Sequence, residues 1–435
     1  MRGRATKLGE TMMIQTMKNR IVAETPADGN CFVGFHDVIP WSADNRCLAI
    51  HRAHPDYFAM TDCTKPIDVC LWFPETGEIQ ALDTTYAWNF QQGARLQWVP
   101  GQVSTLAFNA IDNGKAVSVI RNIETGGRRV LPAAIYAFSP DGKISIAPNF
   151  TTLAHRWMAY GYMPLREEQE PQNEDDDGLW KLDIETGKAR LFVSARRVAD
   201  FEATSHADPS SHFLCHVSFS PDGERIVFLH RFFSADGGLF TRMIATDREA
   251  RNLVLLAQEK VSHFDWLDHE TLVVWARFTG GRLAQARSRG MLSSPFVKPL
   301  LSAARKCTGK WKKRILSESY YRISIREPQT RARYGWPSLD ADGHPMVART
   351  HQWIATDFYP DRARKMPVIL YHSERQTRVD AQVFVHRPRS DDSDVKCDLH
   401  PRWDRSERQI AVDTCEAGYR QVRILDVRDV VESQV

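Results

Sequence analysis

Four histidines hold one position in a repeated hairpin. His216, His263, His344 and His400 each stand three residues before an apolar anchor: Phe219, Trp266, Val347 and Trp403. The chain has only 15 histidines, so four at one repeat position are not a chance scatter. Val38, Arg95 and Ile135 hold the same position in three earlier repeats, and His36 lies two residues before Val38. Crowded imidazoles repel when charged, so a cluster favours neutral rings or a shared cation. Neutral imidazole ligates Zn2+ or Mn2+ and is the usual general base near neutral pH. The alternative is structural: a histidine ahead of a strand can cap a sheet through a backbone hydrogen bond.

The elements that would gather these side chains are written in the same repeats. YAFSPDGKISIA from Tyr136 and VSFSPDGERIVFLHR from Val217 each place an SPDG turn between two apolar runs, which is a β-hairpin pattern. Degenerate copies are VIPWSADNRCLAIHR from Val38, LQWVPGQ from Leu96, FDWLDHETLVVWAR from Phe264, DGHPMVARTHQWIATD from Asp342 and PRWDRSERQIAVD from Pro401. A second turn, ETG, follows several of them, as in LWFPETGEIQAL, IRNIETGGRRVL and LWKLDIETGKARLF. Each unit then reads as four antiparallel strands, the content of one propeller blade. Anchors at Trp41, Trp98, Phe138, Phe219, Trp266, Val347 and Trp403 count seven units. The expected fold is all-β: a seven-bladed β-propeller of four-stranded antiparallel blades. A strand around Ile21-Val22-Ala23 would close the ring. Six or eight blades also fit eroded repeats. Residues 1–18 read as a tail and 19–435 as one domain.

In such a blade the first strand is innermost. SPDG and ETG turns share one face, and the second-to-third-strand loops share the other with the four histidines. Those loops carry His51, His54, His230, Arg231, Asp357, Tyr359, Asp361, Asp413 and Glu416. Two insertions fall in them, near 160–178 and 280–316. The first is acidic (REEQEPQNEDDDG from Arg166). The second is basic, with Arg287, Arg289, Lys298 and Lys310 among its cations. Long loops in compact domains are functional or solvated and disordered, and both readings stay open.

Composition narrows the function classes. Hydrophobic residues make up 43%, charged residues 26% and the net charge is +3 over 435 residues; that is a globular chain with no general case for nucleic-acid binding. No apolar run is long enough to span a membrane, and no secretory apolar region follows the basic start. Eight cysteines without a CxxC pair read as mostly buried thiols, which places the protein in the cytoplasm. GxSxG, HExxH, P-loop and GxGxxG signatures in their required contexts are missing. β-elimination needs none of them. A cation or arginine neutralises a uronate carboxylate, a base removes the acidified C–H proton, and the glycosidic oxygen leaves.

The SPDG and ETG repeats resemble those of TolB-type, WD40-like propellers over nearly the whole chain. GHP at His344, LHPRW at His400 and SHFDW at His263 are similar to the arrangement of the oligogalacturonide lyases, which are propellers with a histidine-rich metal site and a histidine base. The resemblance implies a divalent metal, Mn2+ or Zn2+, on His263, His344 and His400. It implies His216 as base, Arg95 as carboxylate partner, and His36, Arg402 and Tyr359 as substrate contacts. That family also uses a glutamine near its histidines, and no residue here is assigned to it. The implied partner is an acidic, uronate-containing oligosaccharide. The competing function is a non-catalytic propeller that binds a protein or a glycan.

Overall fold

Turn chemistry sets the hairpins. At Ser139–Gly142 the Ser139 hydroxyl donates to the Asp141 carboxylate (2.5 Å), which also accepts the Lys143 N–H (3.2 Å). Ser139 Oγ accepts the Ile144 N–H at 3.1 Å, and Gly142 takes φ +69°. Ser220, Asp222 and Gly223 repeat this arrangement. The eroded copy at Ser42–Asn45 keeps the Ser42–Asp44 bond (2.7 Å), with Asn45 rather than glycine at φ +59°.

The structure is a computed structural model that describes residues 15–17, 20–203, 211–233, 238–278 and 318–433. It is mostly β. In chain order, β1 (Gln15–Thr16) and β2 (Ile21–Glu24) precede a four-stranded sheet of β3 (Asn30–Phe32), β4 (Leu48–Ala53), β5 (Ile67–Phe73) and β6 (Glu78–Thr85). The second sheet is β7 (Gln97–Trp98), β8 (Thr105–Asp112), β9 (Lys115–Asn122) and β10 (Arg128–Leu131). The third is β11 (Ala137–Phe138), β12 (Ile144–Pro148), β13 (Gly178–Asp183) and β14 (Ala189–Ser194).

A seven-stranded sheet follows: β15 (Phe213–Phe219), β16 (Arg225–Phe233), β17 (Leu239–Asp247), β18 (Leu253–Trp266), β19 (Thr271–Arg277), β20 (Glu318–Ser324) and β21 (Arg331–Arg333). The sequence separates two units here. They are joined because β18 runs 14 residues, ending one unit and opening the next. Then come β22 (Met346–Val347), β23 (Trp353–Asp357), β24 (Lys365–His372) and β25 (Thr377–Val385), with β1 added parallel to β25. The last sheet is β26 (Arg402–Trp403), β27 (Gln409–Thr414) and β28 (Gln421–Asp426), and its outer strand is β2, antiparallel to β28.

All seven anchors lie where the sequence puts them. Six are on innermost strands, and Trp41 forms a lone bridge to Leu48. Three anchor tryptophans tie their repeat unit to the one before. Trp98 Nε1 donates to Pro40 O (2.7 Å), Trp266 to Ser218 Oγ (3.0 Å) and Trp403 to Met346 O (3.0 Å). The ring thus lies in an apolar core while its N–H is satisfied.

The 160–178 insertion sits between β12 and β13, after the helix α1 (Phe150–Arg156). The 280–316 insertion lies outside the described residues, as does most of the expected 1–18 tail. Seven described cysteines are buried and unpaired. Among the described residues no helix is long and apolar enough to cross a membrane.

Candidate metal centre and active site

In two units the repeat position three residues before the anchor falls in a bulge of the strand. Pairing slips between Cys215 and Ser218, and between Val261 and Phe264. Arg95, His216 and His400 take φ of +55°, +53° and +45°. Side chains seldom accept such values outside turns, and a bulge spends its extra residue on re-aiming one of them. His344 follows Gly343, where a Cβ would come 1.7 Å from Asp357 O. The backbone passes there because glycine allows it.

These side chains converge. Ring centroids of His263 and His344 are 4.2 Å apart, as are those of His344 and His400. His36 joins them at 5.8 Å from His263, 5.5 Å from His344 and 6.1 Å from His400. The Phe35 ring stands among them, 5.2 Å from His400 and 5.1 Å from His216. A cavity of about 480 Å3 reaches His36, His216 and His263 from the turn face, past Trp98, Trp266 and Trp403.

Four of the imidazoles are pinned through Nδ1. His36 bonds Pro345 O (3.1 Å) and His400 bonds Gly34 O (2.6 Å). His263 meets Asp342 (3.1 Å) and His344 meets Asp357 (2.8 Å). Carbonyls and carboxylates only accept, so each Nδ1 carries the proton and each Nε2 keeps its lone pair, the ligand tautomer. Burial pushes the pKa of His36, His344 and His400 well down, and neighbouring imidazoles or Arg402 add to it. They stay neutral at neutral pH.

A metal fits this set. Donor atoms of His344, Asp398 and His400 all lie within 4.8 Å of one another. His400 Nε2 is buried with no hydrogen-bond partner among the described residues. Asp398, which the sequence reading did not single out, brings an oxygen donor to the group, and Lys396 Nζ lies 3.0 Å from it. His263, expected as a ligand, packs against His344 but is not one of the three converging residues.

Asp357 organises the centre. Its carboxylate accepts the backbone N–H of His344 (2.8 Å) and of His400 (3.1 Å) as well as the His344 ring. Burial raises its pKa to about 6, against the pull of those N–H groups. Asp413 stands at the matching place in β27 and accepts the N–H groups of Val33 (3.0 Å) and Gly34 (3.2 Å).

The other expected residues divide. His216 is buried beside Tyr160 (4.8 Å) and Phe35, and neither nitrogen has a partner among the described residues. Burial, then Arg231, holds its pKa well below the usual histidine value. Tyr359 is half-buried at the rim, 5.4 Å from His344, with the Lys396 ammonium 4.4 Å from its ring centre. Two expectations are corrected. Arg95 is not free for a substrate carboxylate, because Asp37 grips it at 2.8 and 3.0 Å and its guanidinium stacks on Tyr136. Arg402 is fully buried and donates to Gly34 O, Phe35 O and Asp413, so it braces the Gly34–His36 segment from below the surface. Arg231 takes on new weight. It is buried between Trp157 and Tyr160, its Nε lacks a partner, and no carboxylate pairs with it among the described residues.

No family model and no curated protein sequence matches the chain. Solved structures do. An oligogalacturonate lyase from Vibrio parahaemolyticus superposes with a TM-score of 0.58 at 12% identity, covering 94% of this chain and 93% of that one. An oligogalacturonate lyase in complex with manganese gives 0.58 at 13% identity over the same shares. TolB from Acinetobacter baumannii gives 0.39 at 11% identity over 81% and 64%. The chain therefore has a β-propeller fold that resembles that of the oligogalacturonate lyases.

Proposed function

We propose that the chain is a seven-bladed propeller, its ring closed by β2, that cleaves a uronate-containing oligosaccharide by metal-assisted β-elimination. Support for seven blades comes from the seven anchors, with β18 shared by two of them. Support for closure comes from the pairing of β2 with β28. The observation that carries the chemistry is the centre itself: imidazoles locked through Nδ1 turn free Nε2 atoms inward beside Asp398. Two nitrogens and one oxygen suit Mn2+ or Zn2+, and a fold neighbour is a lyase in complex with manganese.

His344, Asp398 and His400 would hold the ion. When bound, a divalent cation supplies the charge that offsets a substrate carboxylate and so acidifies the adjacent C–H. Arg231 is the guanidinium left to meet that carboxylate, and its burial would strengthen the contact. His216, neutral and unbonded, takes the proton on a ring nitrogen. His36 closes the floor of the centre. Tyr359 and Lys396 form its rim, an aromatic face and a cation suited to an acidic sugar.

Chelated protein should form no unsaturated uronate product, read by ultraviolet absorbance on polyuronate oligomers, and added Mn2+ should restore it. If metal binds and no product forms on any uronate, the elimination reading falls and a glycan-binding propeller replaces it.

A further inference from the structure

The three metal ligands stand next to the place where the two ends of the chain meet. His344 precedes β22, whereas Asp398 and His400 precede β26 of the last sheet. That sheet takes its outer strand from β2, and five residues later the chain enters β3 of the first sheet. The first and last sheets share an apolar cluster of Cys31, Leu48, Ile50, Ala411, Val422 and Ile424, and hydrogen bonds join them. Thr25 N–H donates to Val422 O (3.0 Å) and Cys31 N–H to Arg420 O (2.8 Å). Beyond β3, the last sheet grips the segment again at Gly34: its N–H meets Asp413, and its carbonyl accepts from Arg402 and from His400 Nδ1 (2.6 Å). Gly34 has φ +116°, and a Cβ there would come 2.8 Å from Gln92 O, so the turn is fixed. One residue on, Phe35 packs against His400, and His36 bonds Pro345 O beside His344.

We propose that the metal centre is also the lock of this closing seam: a cation on His344, Asp398 and His400 fastens the segment Ile21–His36 to the last sheet through His400 Nδ1–H and Gly34 O. The inference rests on the metal reading above. The physical cause is polarisation. An imidazole that gives its Nε2 lone pair to a cation becomes a stronger donor at Nδ1, and the two bonds reinforce each other. Release of the 21–36 segment frees the His400 ring and costs metal affinity. By linkage, metal binding must then disfavour release by the same factor.

Hydrogen exchange on the full chain tests this, with and without Mn2+, after calorimetry has fixed the Mn2+ affinity. At free Mn2+ about 100 times the dissociation constant, peptides covering 21–36 should exchange up to about 100-fold more slowly. Peptides of the β11–β12 hairpin should be unchanged. His344→Ala should remove the effect along with the binding. Tight Mn2+ binding with unchanged exchange over 21–36 overturns the lock and leaves the functional reading standing. Equal slowing in every peptide, or slowing that survives His344→Ala, also overturns it. Absence of Mn2+ binding sinks both.

Discussion

His216 is the one crown imidazole with neither nitrogen engaged. Buried polar atoms go unpaired only where something else is served, and a base awaiting a proton is such a case. His216→Ala should lower turnover by about 10^2–10^4 while the thermal midpoint and Mn2+ affinity hold; near-normal turnover would end its role as base. Arg231→Met should lower kcat/KM on uronates by about 10^2, with partial recovery in Arg231→Lys. Turnover of the uronate methyl ester, which has no carboxylate, should move much less, and an equal loss on both would make Arg231 structural. The four imidazoles were legible because repeat symmetry converts one register into one place on the axis. Asp398 was not, since it sits off that register; its signal was the D-L-H spacing, which turns residues i and i+2 to one side of an extended chain. Arg95 and Arg402 were misjudged because their partners, Asp37 and Asp413, meet them only through tertiary packing.

At the scale of the strand, one register carries the connections between sheets. In four units the residue three places past the anchor's partner reaches into the start of the next unit. His51 Nε2 accepts the Ala94 N–H (3.0 Å), Asn109 bonds both N–H and C=O of Ile135, Asp357 reaches His400, and Asp413 reaches Gly34. In the other three units the position holds Pro148, Leu229 and Trp275, which make no such brace. His51 works only when neutral, because its Nδ1 meets Phe32 O and its Nε2 must accept. Burial depresses its pKa from 6.5 to about 4. The unfolded chain thus takes up the proton first. The His51 contribution is complete above pH 6.5 and is lost as pH falls toward 4. At pH 5 the loss should be about 2 kcal/mol relative to pH 7. Urea unfolding of His51→Gln at both pH values should show that much less pH dependence than the native chain; parallel curves would refute the assignment. The sequence offered Asp357 and Asp413 as matching ends of strands. It could not show that they cross to a neighbouring sheet, because that depends on how the sheets pack around the axis.

At the scale of the molecule, turn chemistry and anchor spacing carried the architecture, since SPDG and ETG turns fix where strands pair regardless of what they pack against. Two features escaped the repeat. Along β18 the chain passes without a loop from pairing with β17 (up to Glu259) to pairing with β19 (from Lys260), so two units run on through one strand. β1 joins β25 in parallel, the only parallel pair among the described strands, and no local pattern announces it. The place of β2 was legible because the last unit shows only three strands up to β28, and its outer edge invites a fourth. That reasoning makes a demand on the chain. Removing residues 1–24 strips β28 of its outer partner and exposes the backbone groups of Arg423, Ile424 and Leu425 along one edge. It also deletes Arg20, whose guanidinium holds Asp429 in the C-terminal helix α2 (Arg428–Glu432). Each lost ladder bond is worth about 1 kcal/mol, so the truncated chain should unfold several degrees earlier and associate through the bare edge. Calorimetry and light scattering would read both. A truncated chain that stays monomeric with an unchanged midpoint would mean the ring is closed by contacts other than this strand.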